Sequence, residues 1–121
     1  MTLLNDFFTI LDDTGSAVTI GLNREHVIYK AHFPVKPITP GVCIIKIVTE
    51  LLERKLGVQL RLSQVKNLKF IIPISPIDDP QVTINFLHID QETSGLTRAR
   101  GEITGRQSQV FTKFSILYTH R

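Results

Sequence analysis

The chain has 121 residues, 42% apolar and 21% charged, which is the make-up of one ordinary globular domain rather than a disordered or fibrous chain. Its 14 Lys and Arg against 11 Asp and Glu leave a net charge of +3, a mild positive field. There is no Trp and no dense basic block with interleaved aromatics, so composition gives nucleic acid no support as a partner. A single Cys excludes an internal disulfide and a Cys zinc cluster and suits a reducing, cytoplasmic setting.

The beginning, Met1-Thr2-Leu3-Leu4-Asn5-Asp6, lacks the basic region of a secretory signal, and no uncharged apolar run approaches the roughly 18 residues of a membrane span. Phe7 to Leu11 is a short apolar run, Asp12-Asp13-Thr14-Gly15-Ser16 marks a turn, and Ala17 to Leu22 alternates at period two. Together they predict a β-hairpin. The stretch His26-Val27-Ile28-Tyr29 is again rich in strand formers, and it leads into a loop from Phe33 to Pro40 punctuated by Pro34, Pro37 and Pro40.

A helix follows. Thr39 is the expected N-cap, Pro40 suits the first helical position, Arg54 and Lys55 meet the dipole in the last turn, and Gly57 is a stop. Apolar side chains at Val42, Ile44, Ile45, Ile47, Val48, Leu51, Leu52 and Leu56 cover most of its circumference. One narrow polar stripe remains, through Lys46, Glu50 and Glu53, which predicts a helix wrapped on several sides. Four strand-like stretches complete the chain: Leu60 to Ile74, Gln81 to Ile89, Leu96 to Ile103 and Val110 to Thr119. Strands and helices do not alternate, which excludes a doubly wound fold. The pattern predicts a single α+β domain in which an antiparallel sheet embraces one long central helix.

Chemistry concentrates in His32-Phe33-Pro34-Val35-Lys36-Pro37-Ile38-Thr39-Pro40-Gly41-Val42. An imidazole precedes a loop stiffened by three prolines, and the loop runs into a helix N-terminus with free amide donors. Gly41 has no side chain, so a substrate oxygen can approach its N–H closely. Donors at a helix N-terminus suit a carbonyl that develops negative charge, and an imidazole with a pKa near 6.5 is the base beside it. A polarised carbonyl with an adjacent base is the equipment for removing a proton α to a thioester.

This segment resembles the His-Phe-Pro-x-x-Pro-x-x-Pro-Gly-Val signature of the hot-dog-fold 3-hydroxyacyl-acyl carrier protein dehydratases of fatty acid synthesis. The stretch from Val65 to Pro76, with Lys69-Phe70 and its following prolines, is similar to a strand of the same family. The resemblance implies a hot-dog fold and a dimer with two sites at its interface, either a homodimer or a heterodimer with a paralogue. It implies no metal and no organic cofactor. His32 matches the base that takes the C2 proton, and Gly41 matches the position whose N–H polarises the thioester carbonyl. The substrate-binding set is Phe33, Pro40, Gly41, Val42 and Phe70.

The family places an acidic residue on the helix, contributed by the other subunit, to assist departure of the C3 hydroxyl. Here that position holds Lys46. Four outcomes compete: the carboxylate has moved one turn to Glu50, Lys46 pairs with Glu50, Lys46 itself protonates the leaving group, or a paralogous partner supplies the acid. A thioesterase of the same fold is an alternative activity, with Glu50 as its nearby carboxylate, and a non-catalytic carrier-binding subunit is another.

Other residues carry bland and functional readings side by side. Cys43 is a small core side chain or a thiol at a helix N-terminus. Phe70, Ile71 and Ile72 are core or the wall of an acyl tunnel. Lys36, Lys66, Lys69, Arg98 and Arg100 are scattered charges or a landing for an acidic carrier protein. His26, His88 and His120 have no motif around them and are expected at surface or edge positions.

Overall fold

The computed structural model describes residues 2–31 and 35–121. The expected hairpin forms from β1 (Phe8–Asp13) and β2 (Ala17–Leu22), paired from Phe8 opposite Leu22 to Asp13 opposite Val18. Its turn is closed by the Gly15 N–H donating to Asp13 Oδ1 at 2.8 Å, with Gly15 at φ +96°, which glycine adopts without steric cost.

The strand-like stretch at His26 to Tyr29 is instead the start of a short helix, α1 (Val27–Ala31). The reason is local hydrogen bonding. His26 Nδ1 accepts the Ile28 N–H at 3.1 Å, and the His26 carbonyl accepts the Tyr29 N–H at 3.0 Å, which closes a helical turn that the β-branched residues alone disfavour. The expectation of a surface or edge position for His26 also fails. Its side chain is 10% exposed, with Nε2 donating to Asp6 Oδ2 at 3.1 Å, and the ring stands edge-on to Phe7 at 5.2 Å.

Helix α2 (Gly41–Leu56) begins one residue later than expected. Pro40 occupies the cap position in an extended conformation (φ −62°, ψ 145°) with no side-chain cap, and its carbonyl accepts the N–H groups of Cys43 and Ile44. Thr39 does not cap because its hydroxyl is bound to Tyr29. At the other end Gly57 takes the left-handed conformation, φ 68°, and its N–H reaches the Glu53 carbonyl at 2.8 Å. Cys43, Ile44, Ile47, Val48, Leu51 and Leu52 form the buried face. Burial is less complete than the apolar sequence predicts: Val42 is 73% exposed, and Ile45 and Leu56 only partly covered. The helix rests in the sheet on one broad face and leaves a side open at its N-terminal half.

Four further strands follow: β3 (Leu60–Phe70), β4 (Gln81–Gln91), β5 (Leu96–Thr104) and β6 (Val110–His120). With the hairpin they make one antiparallel sheet in the order β1-β2-β4-β5-β6-β3. Alternate residues of β2, β4, β5 and β6 point inward, and Ile20, Ile84, Ala99, Phe114, Ile116 and Tyr118 join the helix residues in one core. Truncating a fully buried member such as Leu52 to Ala is worth about 2–5 kcal/mol.

Strand β3 ends at Phe70, four residues short of the expected Ile74. Both the Ile71 and Ile72 N–H groups converge on the Phe111 carbonyl, at 2.8 and 3.1 Å, which breaks the ladder ahead of Pro73. As an outer strand, β3 is exposed over nearly its whole length, with Leu62, Val65 and Phe70 among its open apolar side chains.

Candidate active site

The site assembles where the segment before α2 crosses the end of β3. Three contacts tie that segment down. The Tyr29 and Thr39 hydroxyls are hydrogen-bonded at 2.9 Å, the Thr39 N–H donates to the Ile74 carbonyl at 2.8 Å, and Lys36 forms an ion pair with Asp78. Beyond Thr39 the fixed ring of Pro40 delivers the chain into Gly41 at the first position of α2. The N–H groups of Gly41 and Val42 lie outside the reach of helical carbonyls, and among the described residues neither meets an acceptor. The helix N-terminus adds its partial positive charge at the same point.

Gly41 is the only residue type that fits there undisturbed. The Phe70 ring lies so close that an added Cβ would stand 2.9 Å from its Cζ. Beside this contact opens a cavity of about 370 Å³ lined by Ile38, Gly41, Ile44, Phe70, Ile72 and Ile74, with Thr39, Pro40 and Pro73 completing the wall. Its size falls in the range of ligand pockets, ~300–1,000 Å³, and its lining is almost wholly apolar. An amide donor beside an apolar cavity, as Gly41 is here, can hold the carbonyl of an acyl group whose chain lies inside.

The structure brings Pro40, Gly41 and Phe70 together and sets Val42, Lys46 and Glu50 away from them. Val42 and Lys46 face a second cavity of about 380 Å³, on the open side of α2, with Ile45, Thr49, Arg61 and Arg121. Lys46 does not line the Gly41 cavity of its own chain. Of the four competing outcomes, a Lys46–Glu50 ion pair does not form among the described residues; Glu50 instead accepts from the main chain, Oε2 from the Leu3 N–H at 2.7 Å and Oε1 from the Leu4 N–H at 2.9 Å. His32 and Phe33 lie outside the described residues.

The hydroxyl tie between Tyr29 and Thr39 and the grip of Glu50 on the N-terminal segment escape sequence reasoning, since neither follows a period or a motif. Burial pushes the Tyr29 phenol up to about 12, with the Thr39 hydrogen bond pulling the other way. Burial also raises the thiol of Cys43, which is 5% exposed and packs in the core as a small apolar residue rather than an activated nucleophile. Among the described residues no group of three or more His, Cys, Asp or Glu is placed to hold a metal, and no helix is long and apolar enough to cross a membrane.

An α2-type helix cradled by an antiparallel sheet in this order is the hot-dog fold, and solved structures of that fold superimpose on the chain over nearly its whole length. The dehydratase heterocomplex ApeI:P from Xenorhabdus doucetiae is similar at 23% identity, covering 89% of this chain and 91% of that one with a TM-score of 0.59. AziG from S. sahachiroi is similar at 12% identity over 94% and 91% of the two chains, with a TM-score of 0.61. Thioesterase superfamily member 2 from Mus musculus gives 11% identity over 94% and 81%, with a TM-score of 0.62. No curated protein matches the chain.

A family model decides among these relatives. The ApeI-like model, described as ApeI dehydratase, matches residues 11–105, and the chain belongs to this family.

Proposed function

We propose that the chain dehydrates 3-hydroxyacyl thioesters carried on acyl carrier protein to trans-2-enoyl thioesters, in fatty acid or related acyl-chain biosynthesis. The observation that carries this reading is the pairing of the open Gly41 N–H with an apolar cavity roofed by Phe70. The thioester carbonyl accepts from Gly41, and the acyl chain runs along Ile44 and Ile72. His32 takes the C2 proton, and the C2–H electron pair shifts first into the carbonyl as an enolate. The pair then returns to form the C2=C3 bond while the C3–O bond breaks. The departing hydroxide leaves as water after receiving a proton from an acid.

That acid comes from a partner in this reading. Glu50 is occupied by two main-chain N–H groups, and Lys46 faces a different cavity from Gly41. The open side of α2 and the exposed outer strand β3, with apolar Leu62, Val65 and Phe70, offer a surface for a second hot-dog subunit. A paralogue with a carboxylate where this chain has Lys46 completes the site, in keeping with the heterocomplex named for the Xenorhabdus relative. The thioesterase alternative needs a carboxylate to activate water, and the engagement of Glu50 weighs against it.

The test uses the purified chain, alone and with a paralogous hot-dog subunit, on a 3-hydroxyacyl carrier protein. Enoyl product with the partner, and little without it, is the expected result. Free acid and free carrier would establish the thioesterase, and no product under either condition would leave a carrier-binding subunit.

A further inference from the structure

We propose that the buried hydroxyl pair Tyr29–Thr39 is the positioning element of the active loop, holding the Gly41 amide at a fixed distance from the end of α1. This rests on the dehydratase reading above, in which Gly41 carries the oxyanion. Tyr29 and Thr39 are 1% and 5% exposed, and their hydroxyls meet at 2.9 Å across ten residues of chain. A phenylalanine would fill the same space in the core, so packing alone does not call for the phenol. Each hydroxyl buried without a partner costs about 1–3 kcal/mol, and the pair satisfies both.

Each side of the bond is anchored independently. The Tyr29 ring is stacked on Phe7, centroids 4.8 Å apart and planes at 23°, and Phe7 is held in turn by the His26 ring bound to Asp6. Thr39 is pinned by its own N–H on the Ile74 carbonyl, at 2.8 Å. Only Pro40, with its φ locked by the ring, stands between Thr39 and Gly41. A displacement at the Thr39 hydroxyl therefore passes to the Gly41 N–H with little slack. On the other side, α1 ends at Ala31, directly before His32 in sequence. In sequence His32 follows α1 directly and Gly41 follows Thr39 by two residues, so the bond ties together described residues on either side of the segment between them. Because burial holds the Tyr29 phenol near 12, the tie keeps its proton at any working pH.

The experiment compares Tyr29→Phe, Thr39→Val, their double variant and Thr39→Ser, each assembled with the partner that gives wild-type turnover. It reads kcat, KM, melting temperature and hydrogen exchange at the Thr39 amide, which donates to the Ile74 carbonyl. Tyr29→Phe and Thr39→Val should each lower kcat roughly 10- to 100-fold with KM within about twofold, because misplacement of a reacting group costs rate more than binding. The double variant should lose no more than either single, and Thr39→Ser should keep wild-type kcat. Thr39 exchange, protected in the wild type by the Ile74 carbonyl, should accelerate in both singles. Folded variants with wild-type kcat and unchanged Thr39 exchange would overturn the proposal and leave the pair a packing detail. If the wild-type protein itself shows no dehydration, the functional reading falls, and the exchange rates alone still decide whether the pair holds the segment that enters α2. Should Tyr29→Phe not fold, Thr39→Val and Thr39→Ser carry the same comparison.

Discussion

The Phe70 ring lies against the α-carbon of Gly41, so that a methyl group added there would stand 2.9 Å from Phe70 Cζ and 3.2 Å from Cε2. The contact sets the roof of the apolar cavity and the approach to the Gly41 backbone at once. Gly41→Ala leaves the helix propensity satisfied and pushes the ring into the cavity. Turnover should fall about 100-fold, the scale of losing an oxyanion donor. Phe70→Leu in the same chain should recover part of it. Steady-state kinetics of the two variants and the double check this.

Lys46→Glu returns a carboxylate to the helix position where the dehydratase signature expects one. The variant chain without a partner should gain dehydration by at least ~10-fold, as a positioned acid contributes 10²–10⁴ in rate, while His32→Ala should lose comparable activity. Enoyl product measured by mass spectrometry is the readout. A Lys46→Glu chain that gains nothing removes the account of the missing acid.

Glu50→Gln should loosen the N-terminal segment. Two charge-assisted bonds to the Leu3 and Leu4 N–H groups become neutral ones or are lost, for a destabilisation of about 1–3 kcal/mol. Hydrogen exchange at those two amides should accelerate ahead of exchange in the sheet.

Alkali should unfold the protein through its tyrosines. Burial raises both Tyr29 and Tyr118 to about 12, from an ordinary 10. Between those values the unfolded chain has released its phenolic protons and the folded chain has not. Stability is therefore fully present below pH 10 and falls as pH climbs toward 12, by about 1.4 kcal/mol per pH unit for each tyrosine. Thermal melts across this range should show the loss, and Tyr118→Phe should reduce its slope by about half.

Cys43 should resist alkylation. It is 5% exposed, and burial raises its thiol, so little thiolate is present at neutral pH. Iodoacetamide should label the native chain slowly and the denatured chain at once, as followed by intact mass.

The elements that carry a strong period were legible in the sequence. Strand-like stretches between turns located β4, β5 and β6 to within two residues, and Pro40 and Gly57 bracketed α2. Where propensity met a specific hydrogen bond, propensity lost. Val27, Ile28 and Tyr29 read as strand, yet His26 Nδ1 turns them into a helix. Thr39 reads as a cap, yet Tyr29 claims its hydroxyl. Gly41 and Phe70 were both named as candidate site residues from motif positions. Their contact was not, because it depends on how the end of β3 lies over α2. The engagement of Glu50 was illegible for a related reason: a carboxylate binding main-chain amides near the start of the chain leaves no side-chain pattern to find.

The grip of Glu50 on Leu3 and Leu4 also governs how the protein can be handled. Thr2 borders the same hollow as Lys46, Glu50 and Arg121, so anything fused ahead of residue 2 emerges onto the open flank of α2. An affinity handle placed there would crowd the flank proposed for a second subunit and pass for a missing activity. One attached after Arg121 lies close by as well, since Arg121 pairs with Glu53. A removable handle is the sound choice for assembly and activity measurements.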